Sequence, residues 1–538
     1  MSAETAPPEP FRVADALVRA LCDRGVSRVF ALSGNQIMPL FDACLGAGLE
    51  VVHTRHEAAC VYMAEAHAQL TGELGVALVT AGVGLGNAVG PLYCALASET
   101  PLLLLSGDSP QAQDGRGAFQ ELDQTTLTQP VTRFCARPTS AAALRADLGT
   151  AHRIATGSHP GPVHLALPAD VLNQPFESTT AAEPSEPDTG SSAERAEVTA
   201  VAASLASATQ PLIVLGPALN ATRQPGLVAA LERATGAPTV VAESPRGLKD
   251  PGYANLGAAI SNADTVLLLG KPCDFSLGFG GSAAPGSRWM LVHANGAVLQ
   301  QATSNLAPTP LHGVQTDPIS FARHLGETGP RRPAPAWRTR CDAWLAPLRT
   351  DTGSSDAGAM HPAAVCHAVQ TALDRSDNAL LITDGGEFGQ WAQACCRAPR
   401  RLVNGVAGSI GGAIPAAVAA SLADPTADIV VLMGDGSAGF HLMELDTAVR
   451  VGARFHLIIG NDRRWNAEHQ IQLRDYGSDR LIGCELGETD YAAVARGLGA
   501  AGERVSTVAA LTAALTRRVS GPVCVDTAIE SVAAPAPV

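Results

Sequence analysis

Short runs of apolar residues recur along this chain, and longer stretches with helical periodicity separate them. Examples are the runs at residues 28–33, 101–107, 211–216 and 428–436. A strand that is apolar on both sides needs cover on both faces of its sheet, and strands that alternate with helices pair in parallel. The sequence therefore predicts an α/β fold of doubly wound parallel sheets, in which ligands bind at the carboxyl ends of the strands.

Two stretches of the chain have the composition of linkers. Residues 175–195 and 328–358 contain few apolar residues and many residues that break helices and strands. A chain of 538 residues is also long enough for about three domains. We therefore predict three tandem domains, which cover residues 10–174, 196–327 and 359–530.

The composition limits the classes of function. With a formal net charge of −14, the chain has no overall basic field that would attract nucleic acid or an anionic membrane. It contains no apolar run of about 18 residues, as a membrane-spanning helix would need, and Met1 to Pro10 lack the features of a secretory signal. The twelve cysteines form no C-x-x-C pair. We expect a cytoplasmic protein with reduced thiols and a frayed tail from Ala533 to Val538.

One predicted strand ends in a motif that suits a metal bound to a phosphate. Asp435 lies between two glycines at the end of this strand, and Asn461 ends the next apolar run. The spacing fits strand, helix, strand, and it would bring both oxygen ligands to neighbouring strand ends, where Mg²⁺ or Ca²⁺ could bind. The helix after Ser437 would point its N-terminus at the phosphate. Gly-Asp-Gly alone is more often an ordinary turn, so the downstream asparagine carries the argument.

This motif resembles the cofactor motif of enzymes that use thiamine diphosphate. The resemblance extends to NGVAGSIGGAIPAAVAAS at 404–421, to VVHTRHEAACVYMAEAHAQLTG at 51–72, to the segment 75–107 that begins GVALVTAG, and to HPGPVHLALPADV at 159–171. It covers the first and third predicted domains almost fully and the middle domain weakly. The nearest branch resembles the acetolactate synthase large subunit, with features similar to benzaldehyde lyase.

The resemblance implies catalytic roles in the first domain. Glu57 matches the glutamate that hydrogen-bonds the pyrimidine ring of the cofactor, which favours the imino form that removes the thiazolium C2 proton. Gln120 matches a glutamine that points into the active site. Gly82 and Gly84 would let the backbone approach the pyrimidine. The residues here that would face the substrate are Asn35 and Gln36.

In the third domain the resemblance implies the metal and diphosphate site. Asp435 and Asn461 would coordinate the metal through their side chains, and Arg463 through its backbone carbonyl. Ile410 matches the apolar residue over which the cofactor bends. Asp462 departs from the family, which usually has a second asparagine there, and we expect it to pair with a neighbouring arginine. Further candidates for cofactor contacts are Gly386, Glu387, Ser409, Gly434, Gly436, Ser437 and Trp465, and the candidates for the substrate pocket are Ala467 and Glu468.

The activity that the resemblance implies is cleavage or formation of a carbon–carbon bond next to a carbonyl, with thiamine diphosphate and Mg²⁺. Our first expectation is decarboxylation or carboligation of a 2-oxo acid. One alternative is a lyase for acyloins or 2-hydroxyacyl-CoA. Residues 267–280 are similar to the middle domain of the branch that handles CoA, although no basic cluster for the CoA phosphates is visible. The other alternative is a homologue that binds the cofactor without catalysis. FAD or an ADP-containing ligand in the middle domain is left open and is not predicted.

The resemblance also implies an assembly. Glu57 and the metal site fall in different domains, which in this family meet across a subunit interface. We therefore expect a homodimer or homotetramer that acts on a small carbonyl compound, with no nucleic-acid or membrane partner. His56, His441 and His469 are candidate proton shuttles, although a single histidine more often has a structural role.

Overall fold

The computed structural model describes residues 11–176, 192–329, 331, 334–348 and 358–536. Within these residues the strands form three sheets of six, five and six strands, and all their pairings are parallel. The predicted fold class, an α/β fold of three tandem doubly wound parallel-sheet domains, is confirmed. The domain ends stay predictions, and the two predicted linkers lie partly outside the described residues.

The chain divides into two compact units, of which the first holds the first sheet. Its strands are β1 (Arg28–Ala31), β2 (Glu50–His53), β3 (Gly75–Val79), β4 (Leu102–Asp108), β5 (Phe134–Ala136) and β6 (Pro162–Pro168), and its helices are α1 (Val13–Cys22), α2 (Met38–Ala47), α3 (Glu57–Thr71), α4 (Val83–Ala97), α5 (Gln124–Thr128), α6 (Ala141–Ala155) and α7 (Ala169–Leu172). The strand order is β2-β1-β3-β4-β6-β5. Strands β3, β4 and β6 are buried along their whole length, which is why most of their residues are apolar.

The second unit holds the other two sheets and the short segments 69–72 and 97–99. The strands of its first sheet are β7 (Pro211–Leu215), β8 (Thr239–Val241), β9 (Thr265–Leu269), β10 (Arg288–Val292) and β11 (Leu311–Val314), in the order β11-β10-β9-β7-β8. The helices around them are α8 (Ser192–Ser207), α9 (Leu227–Thr235), α10 (Leu256–Asn262), α11 (Gly296–Leu306), α12 (Pro318–Gly326) and α13 (Pro335–Leu345).

The third sheet has the order β13-β12-β14-β15-β17-β16. Its strands are β12 (Ala379–Thr383), β13 (Arg400–Leu402), β14 (Asp428–Gly434), β15 (Phe455–Asn461), β16 (Ala501–Val505) and β17 (Pro522–Ala528). Its helices are α14 (Pro362–Leu373), α15 (Gly386–Cys395), α16 (Ala413–Ala423), α17 (Asp435–His441), α18 (Glu444–Arg450), α19 (Asn466–Tyr476), α20 (Tyr491–Gly497) and α21 (Val508–Leu515).

The predicted fraying of the C-terminal tail is wrong for Ala534. Its backbone N–H donates to the carboxylate of Glu387. Val532 and Ala534 also pack against the apolar core of the third sheet. Pro537 and Val538 lie outside the described residues.

None of the described helices combines the length and the hydropathy that a membrane crossing needs.

The histidine on β6 lies inside the core of the first unit. His164, on β6, is fully buried. Its ring nitrogens contact the hydroxyl groups of Ser106 at 2.8 Å and of Thr128 at 2.9 Å. Burial lowers the pKa of His164 to about 3, because the apolar surroundings disfavour the charged ring. His164 is therefore neutral in the folded chain at physiological pH.

We expect acid to destabilise the first unit through His164. In the unfolded chain a histidine has a pKa of about 6.5, so that state gains a proton below pH 6.5 whereas the folded state gains none until about pH 3. The contribution of neutral His164 to the free energy of unfolding is intact above pH 6.5. It decreases as the pH is lowered below 6.5, by about 2 kcal/mol at pH 5. Native-state hydrogen exchange of β4 and β6, measured at pH 7 and pH 5, should show this loss.

The substitution His164→Asn should remove most of that pH dependence, because asparagine can hydrogen-bond both hydroxyl groups without titrating. His152→Asn, which changes a histidine outside this core, is the matched control and should leave the dependence as it is. The same loss of protection in His164→Asn as in the native chain would contradict the assignment.

Candidate functional site

The first unit places its predicted site residues at the carboxyl edge of its sheet. Glu57 begins α3 after β2, and Gly82 and Gly84 lie where α4 follows β3. Strands β2 and β3 flank β1 in a parallel sheet, so their carboxyl ends share one edge. The other predicted residues of this unit are Asn35 and Gln36, in a short turn after β1, and Gln120, in the loop after β4.

Three polar side chains form a chain of hydrogen bonds at this edge. The hydroxyl group of Thr80 donates to Oε1 of the buried Gln36 at 2.6 Å, and Nε2 of Gln36 donates to Oε1 of Gln120 at 3.0 Å. These bonds fix the direction of both amides, because an amide oxygen only accepts and its nitrogen only donates. Gln120 therefore presents its Nε2 group as a donor. Sequence reasoning missed Thr80, whose role depends on this tertiary contact.

Close packing explains the glycine at position 82. A Cβ atom added to Gly82 would lie 2.9 Å from the carbonyl oxygen of Gln120. The backbone of Gln120 has a φ of 59°, in the left-handed region that residues other than glycine rarely adopt. A side chain at position 82 would therefore push Gln120 out of its place. The predicted contact of this backbone with a pyrimidine stays a prediction.

Glu57 has a partner that the sequence did not reveal. Nδ2 of Asn87, on α4, donates to Oε2 of Glu57 at 3.0 Å. A Cβ atom at Gly84 would lie 3.4 Å from the other carboxylate oxygen, Oε1, and 2.7 Å from Cγ2 of Thr80. Gly84 therefore leaves room beside Glu57. The bond from Asn87 holds one carboxylate oxygen and leaves Oε1 as the atom that could bind a ligand.

In the second unit, Asp435 follows β14 and Asn461 ends β15, and these two strands pair directly. Gly434 in β14 is opposite Gly460 in β15, so the next residue of each strand lies at the same edge. Both side chains are buried, with exposed fractions of 2% for Asp435 and 6% for Asn461. The predicted juxtaposition of an aspartate and an asparagine at neighbouring strand ends is therefore present.

The side chain of Asn461 is oriented like a metal ligand. Its Nδ2 group donates to the carbonyl of Thr489 at 3.1 Å and to Oδ1 of Asp526 at 2.9 Å. Its Oδ1 atom is buried and accepts no hydrogen bond from any described residue. A buried oxygen without a donor is costly in a folded protein, and a hard cation would satisfy it. The residues present therefore fit a divalent metal.

Two carboxyl groups at this edge are held in surroundings that disfavour their charge. Burial raises the pKa of Asp435 to about 6, against the effect of hydrogen bonds from backbone amides such as that of Gly436. Burial and the nearby Asp435 raise the pKa of Asp462 to about 7, and Arg464 opposes this. Arg464 acts on Asp462 both through a hydrogen bond from its backbone N–H and through its charge. A bound cation would favour the charged form of both groups.

The carbonyl of Arg463, the third predicted ligand, is held in an unusual backbone conformation. Arg463 has a φ of 60°, in the left-handed region. Its carbonyl accepts a hydrogen bond from the amide of Leu486 at 2.7 Å. A carbonyl oxygen has a second lone pair, so a metal contact by Arg463 stays a prediction that this geometry permits.

A buried aspartate fixes the glycine-rich loop that carries Ser409 and Ile410. Asp384, at the end of β12, accepts hydrogen bonds from the amides of Gly411 at 2.9 Å and Ala413 at 3.1 Å. Nδ1 of His441 donates to the carbonyl of Gly411 at 2.9 Å, so this candidate proton shuttle holds the loop. Sequence reasoning missed Asp384, although the rule that polar residues follow buried strands could have found it.

Aromatic rings line the start of α17. The ring of Trp465 lies against Gly436, where an added Cβ atom would come within 2.6 Å of it. The ring of Phe440 meets Trp465 edge to face, with 6.3 Å between the ring centres. Ser437 lies beside them and hydrogen-bonds Asp384. Trp465 and Phe440 thus form an apolar wall next to the predicted diphosphate residues.

The remaining predicted residues lie around the start of α15 and α19. Gly386 begins α15 with a φ of 74°. The carboxylate of Glu387 accepts from Gln390 at 2.9 Å as well as from Ala534, and burial raises its pKa. These bonds give Glu387 a role in holding the tail, and its predicted cofactor contact stays a prediction.

The two substrate-pocket candidates, Ala467 and Glu468, lie in the first turn of α19, whereas His469 beside them is buried.

Comparison with known protein families gave two matches. The model of the thiamine pyrophosphate enzyme N-terminal TPP binding domain matches residues 11–127, and that of the C-terminal TPP binding domain matches residues 384–527. The residues in between include the whole second sheet.

Relatives and a solved structure resemble the chain along most of its length. The 2-hydroxyacyl-CoA lyase 2 of Homo sapiens is 32% identical over an alignment that covers 90% of this chain and 83% of that protein. The acetolactate synthase large subunit of Mycobacterium tuberculosis is 28% identical over 96% of this chain and 95% of that protein. The structure of the thiamine diphosphate-dependent 4-hydroxybenzoylformate decarboxylase of Rhodococcus jostii superposes with a TM-score of 0.80, at 22% identity, over 97% of this chain and 100% of that chain. This last similarity supports the fold alone.

We expect divalent metal to bind more weakly in acid. Only an ionised carboxylate binds a metal, so protons compete for Asp435, whose pKa without metal is about 6. The affinity for Mg²⁺ has its full value above this pKa and decreases as the pH falls through it. Calorimetric titration with Mg²⁺ in the presence of thiamine diphosphate should give binding about tenfold weaker at pH 5 than at pH 7.5. Asp435→Ala should bind at neither pH, and equal affinities of the native chain at both pH values would contradict the assignment.

Proposed function

This chain belongs to the thiamine pyrophosphate enzyme family, and on that basis we propose that it is a lyase for 2-hydroxyacyl compounds. It would cleave the bond between a thioester carbonyl carbon and the neighbouring carbon that carries a hydroxyl group. The products would be an aldehyde and a formyl thioester. The observation that carries this proposal is the match to 2-hydroxyacyl-CoA lyase 2 over 90% of the chain, which extends into the second sheet that both family models leave unmatched.

A second candidate is decarboxylation or carboligation of a 2-oxo acid. The match to the acetolactate synthase large subunit, which covers 96% of this chain, favours it. Both reactions break or form a bond next to a carbonyl, so the same residues would serve them. Glu57, Asp435 and Asn461 are all in place, which argues against a homologue that has lost catalysis.

The second unit would hold the diphosphate through a metal ion. We assign Mg²⁺ to Asp435, Asn461 and the carbonyl of Arg463, because a hard cation would satisfy the buried Oδ1 atom of Asn461. Bound thiamine diphosphate supplies a nucleophilic carbon and a sink for the electrons of the cleaved bond. Ile410, on the loop that Asp384 holds, would support the bend of the cofactor.

The side chains of the first unit would handle protons and the substrate. Oε1 of Glu57 would share a proton with the pyrimidine ring, since Asn87 already engages Oε2. Nε2 of Gln120 would donate to the carbonyl oxygen on which negative charge develops, because Gln36 fixes the direction of that amide. Gln36 and Thr80 thus orient a donor before the substrate binds, which is a condition for efficient catalysis.

We propose that the chain works as a homodimer or homotetramer whose sites form between subunits. Large apolar side chains near Glu57 and Gln120 are exposed, among them Val83 at 70% and Phe119 at 71%. Exposed apolar groups beside a polar site support a surface that another protein covers. A second copy of the chain would bury them and dry the surroundings of Glu57. We propose a cytoplasmic location, which the twelve free thiols support.

Glu57→Gln tests the proton-transfer role. The amide cannot share a proton with the pyrimidine ring, so turnover should fall by at least 100-fold, while thiamine diphosphate binds with nearly native affinity. Glu50→Gln, which changes an exposed glutamate on β2 paired with Arg28, is the control and should keep native turnover. Steady-state assays together with cofactor titration measure both quantities. Native turnover in Glu57→Gln would disprove the role.

Competing substrates distinguish the two proposed reactions. We expect the native enzyme with thiamine diphosphate and Mg²⁺ to convert a 2-hydroxyacyl-CoA into an aldehyde and formyl-CoA, identified by mass spectrometry. A panel of 2-oxo acids, with detection of CO₂ and of new hydroxyketones, runs in parallel. Turnover confined to the 2-oxo acids would replace the first candidate by the second.

A further inference from the structure

A buried carboxylate connects the two predicted metal-binding residues. Asp526 lies in β17, the neighbour of β15, and is fully buried. Its Oδ1 atom accepts the amide of Asn461 at 2.9 Å, and its Oδ2 atom accepts the backbone N–H of Tyr491 at 3.1 Å. The hydroxyl group of Tyr491 in turn donates to the carbonyl of Asp435 at 3.0 Å. One carboxylate thus reaches both ligand positions.

We propose that Asp526 is a positioning residue for the metal site, which it serves through Asn461 and Tyr491. The inference rests on the proposed function, because it assumes that Asp435 and Asn461 bind Mg²⁺. Asp526 itself contacts no metal in this scheme.

The hydrogen-bond chemistry of an amide supports this role. An asparagine side chain can rotate by half a turn, which exchanges its oxygen and its nitrogen. A carboxylate accepts hydrogen bonds and donates none, so Asp526 permits only the orientation in which Nδ2 of Asn461 faces it. The carbonyl of Thr489 enforces the same orientation. The Oδ1 atom of Asn461 is then fixed on the opposite side, where it is buried without a donor.

The second branch of the arrangement acts on the backbone of Asp435. Tyr491 is 8% exposed, and its ring carries the hydroxyl group from the start of α20 to the carbonyl of Asp435. Because Asp526 also holds the backbone of Tyr491, it fixes the ring that supports Asp435. Residues that orient metal ligands in this way affect affinity by about 10-fold to 100-fold when they are replaced.

Asp526→Asn tests the proposal with a change of nearly equal size. The amide introduced at position 526 can accept from Asn461 or from Tyr491 with its single oxygen, and its nitrogen faces the remaining donor. Titration of the full chain with Mg²⁺, at saturating thiamine diphosphate, should show a Kd for Mg²⁺ raised by about 10-fold to 100-fold. Asp428→Asn, which changes an exposed aspartate at the opposite end of β14, is the matched control and should leave the Kd unchanged.

A double substitution separates positioning from a general effect on folding. Asn461→Asp combined with Asp526→Asn exchanges the carboxylate and the amide, so one hydrogen bond between them is restored and an oxygen still faces the metal. The new carboxylate adds negative charge beside the metal and loses the bond to the carbonyl of Thr489, so the reference for this variant is Asn461→Asp alone. The double variant should bind Mg²⁺ more tightly than Asn461→Asp, although it carries one negative charge fewer. A double variant no tighter than Asn461→Asp would overturn the pairing.

The remaining outcomes also decide the question. A native Kd in folded Asp526→Asn would refute the inference and leave the proposed function intact. Absence of Mg²⁺ binding by the native chain would instead refute the proposed metal site, and the inference with it. If Asp526→Asn does not fold, Tyr491→Phe replaces it, because that change removes only the hydroxyl group. A Kd raised several-fold in Tyr491→Phe supports the proposal, and a native Kd overturns it.

Discussion

The parallel pairing of β14 with β15 is the constraint on which the metal site depends. Its register places Gly434 opposite Gly460, so Asp435 and Asn461 lie side by side at the carboxyl edge of the sheet. The middle residues of both strands are apolar and buried, whereas Asp435 and Asn461 lie at the carboxyl ends. A shift of the register by one residue would separate the two oxygen ligands, however well each side chain were oriented.

Burial makes the paired strand ends at Asp435 and Asn461 unfavourable without a ligand, and a cation that binds both oxygen ligands would relieve this cost. The orphan oxygen of Asn461 and the raised pKa of Asp435 have the same cause, which is the removal of water from the strand ends. The hydrogen bonds that Asn461 donates to Asp526 and Thr489 maintain the orientation in which its Oδ1 atom is buried without a donor. The first unit follows the same principle, since Thr80 and Gln36 fix the amide of Gln120 before any substrate arrives.

The sequence predicted the features that depend on local pattern. Fully apolar strands such as β3 indicated parallel sheets because they are buried on both faces. The motif around Asp435 indicated the site because its glycines and its aspartate are adjacent in the chain. Asn87, Tyr491 and Asp526 were not predicted. Each acts through a contact with a residue far away in sequence, and its side chain has many ordinary uses. The bond between Glu387 and Ala534, which corrected the predicted fraying of the tail, was hidden for the same reason.

The measurement that tests the central claim most directly is anomalous X-ray scattering from crystals of the native protein grown with thiamine diphosphate and Mn²⁺, which can substitute for Mg²⁺ at oxygen ligands. The account predicts an anomalous peak within coordination distance of the carboxylate of Asp435 and of Oδ1 of Asn461, next to the diphosphate. Bound cofactor whose metal peak lies away from these two side chains would contradict it.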